Sequence, residues 1–325
     1  VQGGRQLAHW ANGLTLSEEI DGALVQLSHH SLALDILAGV KRDSSTDIDD
    51  SRPNYTNETH RNFYGGMLSV LVDPRHRPYV YGIVQRDHNP DDVLTVAGVS
   101  TVFEYNSHYI GFGSIGSIAD NLTYGAEIVY QGGKGLSNSF EPLTGLPVPQ
   151  TQQDIEALAA DLRLEYLFND ENHTRLSGEM ILASGDTDRL TTSDTFGGNQ
   201  SGTKDHAFNA FGLIDTGLTF NPNVSNLLTL RTGISTFPMP NTEWFGRLQV
   251  GVNMFVFNKL NRSAPIDEAT SSKSYLGFET DVYANWQVTS DVSVALRYGV
   301  FLPGDAIAVD HDARHFAFTG VTFAF

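Results

Sequence analysis

An apolar–polar alternation of period two, sustained over long segments, constrains the fold of this chain more than any other feature. In DVSVALRYGVFL (Asp291–Leu302), Val292, Val294, Leu296, Tyr298, Val300 and Leu302 fall on one face. Ser293, Ala295, Arg297, Gly299 and Phe301 fall on the other. Successive side chains of an extended strand point to opposite sides, so this is strand patterning. In the segment before it, Leu276, Phe278, Val282, Ala284 and Trp286 oppose Tyr275, Glu279, Asp281, Tyr283 and Asn285. Leu248, Val250, Val252, Met254 and Val256 oppose Arg247, Gln249, Gly251 and Asn253. The same holds for Leu158–Phe168, with Asp161, Arg163 and Glu165 on the polar side, and for Leu122–Tyr130, with Glu127. It holds again for Leu32–Val40, opposed by Asp35, Gly39 and Lys41. The chain closes on FAFTGVTFAF, where Val321, Phe323 and Phe325 share a face.

Strands of soluble proteins mostly run about 5 to 6 residues. A strand crossing a bilayer at a tilt needs about 9 to 11. The runs here are of the second kind, and many apolar stripes end in Tyr, Trp or Phe, as an interfacial girdle requires. The expected fold is therefore all-β: an antiparallel transmembrane β-barrel, with residues 1–325 forming one domain. No apolar run is long enough for a membrane-spanning helix, a test to which strand-built spans are blind. Net charge is -18, from 38 acidic and 20 basic residues. That disfavours nucleic acid as a partner. The chain has no cysteine, hence no disulfide and no thiolate metal site. It starts at Val1 without Met or signal peptide, and its N-terminus is expected to be processed or incomplete.

Connections alternate as well. Short turns are expected at Ser28–Ser31, Asp73–Pro78, Ala119–Asn121, Asn169–Asn172, Thr236–Thr242 and Thr289–Asp291. Long polar loops are expected at Asp43–Glu58, Asp87–Val102, Gly132–Gln153, Gly185–Asp205, Asn258–Ser272 and Pro303–Asp312. Short periplasmic turns and long outer loops build outer-membrane barrels. Counting back from a last strand that ends in the periplasm, Tyr275–Val288 runs inward, Trp244–Phe257 outward and Asn226–Ser235 inward. FNAFGLIDTGLTF (Phe208–Phe220) then has no spanning role, although it alternates, and is expected to be loop or an inward-folded segment. About 14 strands remain, the first being Gly4–Trp10, directed outward.

Several blocks resemble the alginate export family of outer-membrane barrels. They are GRQLAHW (Gly4–Trp10), IDGALVQLS (Ile20–Ser28), LALDILAG (Leu32–Gly39), YGAEIVYQGG (Tyr124–Gly133), LRLEYLF (Leu162–Phe168), GEMILASGD (Gly178–Asp186), YLGFETDVYANW (Tyr275–Trp286) and VFLPG (Val300–Gly304). They follow family order over nearly the whole chain. The resemblance implies a monomeric 18-stranded barrel in the bacterial outer membrane that passes an acidic polysaccharide. It also implies that about four strands and a signal peptide precede Val1.

For a channel, chemistry means field and width. The inward-facing, pore-lining candidates are Arg163, Arg175, Arg231, Arg247 and Arg297 with Glu127, Glu165, Glu279 and Asp281. Lys41, Asp35, Asp161 and Glu179 fall on the same surface. The family carries a polyanion through an arginine-rich pore, whereas this inferred lining is mixed in sign. Facing Arg and acid side chains can also simply pair across neighbouring strands and stiffen the wall.

Other motifs are weaker. DSSTDIDDS (Asp43–Ser51) carries oxygen ligands that calcium prefers, without EF-hand spacing, and reads more simply as a solvated loop. His29–His30 and HDARH (His311–His315) read as interfacial histidines rather than metal ligands. SGD (Ser184–Asp186) lacks a signature for a base, so no catalysis is expected. GFGSIGSI (Gly111–Ile118) has no following helix, and a phosphate cradle fails. No cofactor is called for. Expected partners are the lipid bilayer with lipopolysaccharide and a hydrophilic or polysaccharide solute. The alternative is an anchoring barrel, plugged by its own loops, that docks a surface or periplasmic protein.

Overall fold

The structure, a computed structural model, describes residues 1–41, 59–89, 93–96, 98–193 and 198–324. The alternation becomes a 14-stranded antiparallel sheet in which every strand pairs with its sequence neighbours. Its strands are β1 (Gln2–His9), β2 (Ser17–His29), β3 (Leu32–Lys41), β4 (Arg61–Val70) and β5 (His76–Asp87). Then come β6 (Glu104–Ala119), β7 (Leu122–Leu136), β8 (Gln153–Leu167), β9 (Arg175–Ala183) and β10 (Leu227–Thr236). The last are β11 (Leu248–Lys259), β12 (Tyr275–Gln287), β13 (Val292–Pro303) and β14 (Arg314–Phe323). β1 and β14 are the sheet edges and do not pair with each other among the described residues.

The strands go up and down without crossover, so successive connections alternate between the two ends, with the tight turns at 30–31, 71–75, 120–121 and 288–291 all at one of them. His30, at φ +54°, turns β2 into β3, and Asp120–Asn121 joins β6 to β7 opposite the Ala119–Leu122 pair. One outer face is oily along its length. Ile128, Leu158 and Val321 are each more than half exposed, beside exposed Leu230, Leu296 and Leu302. A water-soluble monomer does not leave such contiguous apolar stripes bare. Trp286 and Phe245 stack at the short-turn rim, as an aromatic girdle does.

Two expectations need correction. Leu276 was placed on the outer stripe, yet it is fully buried inside and Tyr275 is exposed. The register shifts between Phe257 and Asn258 opposite Tyr275, and Gly277 takes φ +151° there, so the bulge re-aims the strand's first residues. The strand expected from Trp244 begins only at Leu248. The N–H groups of Thr242, Gly246 and Leu248 close turns onto Met239, Thr242 and Phe245, so this stretch turns instead of pairing with a neighbouring strand.

The inner face is drier than the alternation suggested. Leu37, Phe63, Val129, Ile181, Phe255, Phe257 and Phe301 point inward and are essentially inaccessible. Two internal segments cover them. Residues 10–16 fold in from the β1–β2 connection, placing Trp10, Leu14 and Leu16 in one core cluster. The segment expected to be non-spanning, 208–220, forms no strand and adds Phe208, Phe211 and Ile214 to that cluster. A second cluster joins Phe255, Phe257, Leu276 and Phe301 to Ile266 and Ile307 of the long loops, with Phe220 against it.

Candidate channel interior

Register sorts the inner wall of β8–β13 into rows. Nearest the long loops, Asp161, Ile181, Thr229 and Phe257 lie side by side. Next comes Arg163, Glu179, Arg231, Phe255, Glu279 and Phe301. Below it runs Glu165, Ser177, Gly233, Asn253, Asp281 and Gly299. Closest to the short turns are Arg175, Ser235, Gly251, Tyr283 and Arg297. Ile181 and the three phenylalanines thus fall in the two rows nearer the long loops, and the two rows nearer the short turns hold no aliphatic or phenylalanine side chain.

A chain of charges runs across these rows. Arg163 Nε lies 2.8 Å from Asp161 Oδ2 and 2.5 Å from Glu179 Oε1. Arg231 Nη1 lies 2.9 Å from Glu179 Oε2 and 3.1 Å from Asp215 Oδ2. Arg163 and Arg231 stand directly opposite Glu179 on its two neighbouring strands, and Asp161 is two residues from Arg163 on the same strand face. Arg175 meets Glu165 more loosely, at 3.4 Å. Arg297 donates to Asn285 Oδ1 at 2.7 Å and lies over the Tyr283 ring at 5.4 Å. Gly251 is required there, since a Cβ would sit 2.3 Å from the Tyr283 ring.

These side chains enclose a cavity of 390 Å³ at the short-turn end, lined by Arg175, Arg231, Arg297, Glu165, Asp215 and Asp281, among others. Five of the nine pore-lining candidates therefore share one cavity. The other four lie apart. Glu279 is buried in its roof. Arg247 is exposed in the turn before β11, beside Gln249 and Asn285 at the mouth, because the turns at Gly246 and Leu248 keep it out of the strand. Arg163 and Glu127 belong to a deeper network around the 10–16 segment. There Asn12 donates its backbone N–H to Glu127 Oε2 (2.9 Å) and its Nδ2 to Asp161 Oδ2 (3.0 Å). Tyr81 donates to Glu127 Oε1 (2.5 Å), which leaves the Thr15 hydroxyl as the donor to Tyr81 at 2.6 Å.

Asn12 and Asp215 were missed by sequence reasoning. Both sit in segments without a spanning role, and the one available signal was the surplus of apolar residues at inward parity, which needed something to cover it. Lys41 pairs with Glu18. Ser184 spends its hydroxyl on the carbonyl of His206 at 2.7 Å and accepts from Leu158 N–H at 2.9 Å, so SGD is a strand-to-loop knot. The Asp43–Ser51 stretch and Phe325 lie outside the described residues. Among the described residues no cluster of three metal-ligating side chains occurs.

A meander of bilayer-length strands, oily on one face and charged on the other, is the sheet of an outer-membrane protein with a porin-like fold. The chain belongs to the alginate export family, whose model matches residues 21–319. It is a bacterial outer-membrane protein of a channel family, not an enzyme. Its fold is similar to three solved structures from Pseudomonas aeruginosa. OccK11 (OpdR) is 12% identical with TM-score 0.54, over 99% of this chain and 74% of its own. OprD is 13% identical with TM-score 0.52, over 98% and 74%. OccK3 (OpdO) is 11% identical with TM-score 0.51, over 97% and 75%. No curated protein matches the chain significantly.

Proposed function

We propose that the chain forms a passive outer-membrane channel for a hydrophilic solute, and that its cargo is an acidic polysaccharide such as alginate. The observation that carries this is the 390 Å³ cavity, where Arg175, Arg231 and Arg297 stand among Asn253, Asn285 and Gln249. Guanidinium groups bind carboxylates bidentately, and planar amides suit sugar hydroxyls. Glu165, Asp215 and Asp281 in the same lining weaken the field. A weak field suits passage, because a solute must leave as readily as it enters. The Arg175, Arg231, Arg297, Glu165 and Asp281 side chains are the pore-lining groups in this proposal. Arg247 would act as a mouth charge.

The same proposal makes the fourteen strands part of an 18-stranded barrel. Its support is the pair of unpaired edges, since backbone N–H and C=O groups left open in hydrocarbon cost several kcal/mol each.

A second reading, the plugged anchoring barrel, is favoured by the two apolar clusters that segments 10–16 and 208–220 build inside the sheet. Planar-bilayer recording separates the two. A channel gives discrete current steps that oligosaccharide uronates block in a concentration-dependent way. A plugged anchor gives no steps, and steps indifferent to uronate would remove the proposed cargo.

A further inference from the structure

The end of the 208–220 segment is held in an unusual way. Leu218 N–H donates to Asp281 Oδ2 at 3.1 Å, Thr219 N–H to Glu279 Oε1 at 2.7 Å and Phe220 N–H to Glu279 Oε2 at 2.8 Å. Three successive backbone amides, which no ladder serves, are satisfied by two carboxylates of β12. Asp215 Oδ1 accepts from Gly217 N–H at 3.1 Å, while its other oxygen faces Arg231. Gly217 has φ +99°, and a Cβ there would lie 2.7 Å from Glu279 Oε1, so the segment turns tightly against the carboxylate. Beyond it, Phe220 stacks on Phe301 at 4.3 Å.

Elsewhere on this wall a buried carboxylate meets an arginine, as Asp161 and Glu179 do. Glu279 is inaccessible and Asp281 is 2% exposed, and neither has an ion-pair partner among the described residues. Their oxygens accept from the segment's amides instead. The arrangement is also incomplete. Asp281 Oδ1 and Thr219 Oγ1 are both buried without a hydrogen-bond partner. Unsatisfied buried groups make the closed arrangement less stable than its contacts suggest, and a segment so held can leave.

We propose that Glu279 and Asp281 form a clip that holds residues 215–220 across the roof of the cavity, and that release of the clip widens the channel. This rests on the channel reading above. Opening would move the roof off Arg231, Asp281 and Arg297 and join the cavity to the space toward the long loops. Glu279 and Asp281 are positioning residues in this scheme, acting on the solute through the segment they hold.

Two variants test it in planar bilayers. Glu279→Gln with Asp281→Asn keeps side-chain shape, but an amide offers one oxygen where Glu279 serves two N–H groups. Losing one of these amide bonds should raise the occupancy of the wide state about tenfold or more. Thr219→Cys with Gly299→Cys uses the chain's lack of cysteine. A Cβ at Gly299 would lie 2.4 Å from Thr219 Oγ1 and 2.5 Å from Asp281 Oδ1, so the two positions adjoin and the Asp281 carboxylate shifts to admit the bridge in both redox forms, which makes the oxidised-against-reduced comparison the readout. Oxidation should abolish wide openings, and dithiothreitol should restore them. Should the first variant fail to fold, the disulfide variant decides alone. Identical conductance in its oxidised and reduced forms overturns the clip, whatever the carboxamide variant does. A protein silent in every form, wild type included, overturns the channel reading and the clip with it.

Discussion

Glu179 is the residue on which the inner wall's charge balance turns. One buried carboxylate meets Arg163 on one side and Arg231 on the other. Removing its charge leaves each arginine one carboxylate, Asp161 for Arg163 and Asp215 for Arg231, and losing a hydrogen bond between charged groups costs about 1.5 to 3 kcal/mol. Glu179→Gln is expected to lower unfolding stability in detergent by about that amount, read from urea midpoints. Arg175→Ala should cost less than about 1 kcal/mol, because its 3.4 Å pair with Glu165 is half exposed and screened. Function should respond in the opposite order. Arg175→Ala with Arg297→Ala is expected to shift the reversal potential toward cation selectivity, since both face the cavity. An unchanged reversal potential would remove these two from the conducting path. Side-chain alternation was enough to put these residues on the inner face. It could not say which would be consumed in pairing, because that depends on register between strands far apart in sequence, such as Glu179 with Arg231.

At the level of elements, the strands were legible and what fills them was not. Each wall strand carries its own period-two signal, so β8, β12 and β13 could be read locally. The segment 208–220 alternates just as well, and chain parity alone denied it a spanning role. Where it goes depends on tertiary partners: Asn209 N–H donates to Gln131, the Tyr109 hydroxyl to the Asn209 carbonyl, and Phe220 stacks on Phe301. The inward apolar residues Phe63, Val129 and Phe255 were the available hint, since a water-filled lumen has no use for them. Gly217→Ala should loosen this element through strain at φ +99° and contact with Glu279. Limited proteolysis of folded protein in detergent should then cut within 208–220 faster than in wild type, and an unchanged digestion pattern would argue against the placement. The short turn before β9 has its own pH dependence. The Thr174 hydroxyl and its N–H, the latter at 2.8 Å, hold the exposed Asp170 carboxyl below its ordinary value. A lowered carboxylate contributes stability above its unfolded pKa and loses it as pH falls through the folded one. Asp170→Asn should therefore flatten the acid limb of the stability profile by lowering stability at neutral pH while leaving acid stability nearly unchanged.

Across the whole molecule, the net charge of -18 and the mixed inner wall point in different directions, because much of the acid lies in the loops. The global charge therefore says little about the pore, which the rows of β8–β13 govern. The central claim is that the oily stripes meet hydrocarbon while the opposite face meets protein and water. The absence of cysteine allows this to be measured without background. Single spin labels at Val294, Ala295, Leu296, Arg297 and Tyr298 of β13, in protein reconstituted into lipid bilayers, report collisions with oxygen and with a water-soluble nickel chelate. The expected result is strict alternation: oxygen favoured at Val294, Leu296 and Tyr298, and oxygen disfavoured at Ala295 and Arg297. Uniform accessibility along the strand, or oxygen exclusion at all five positions, would contradict it.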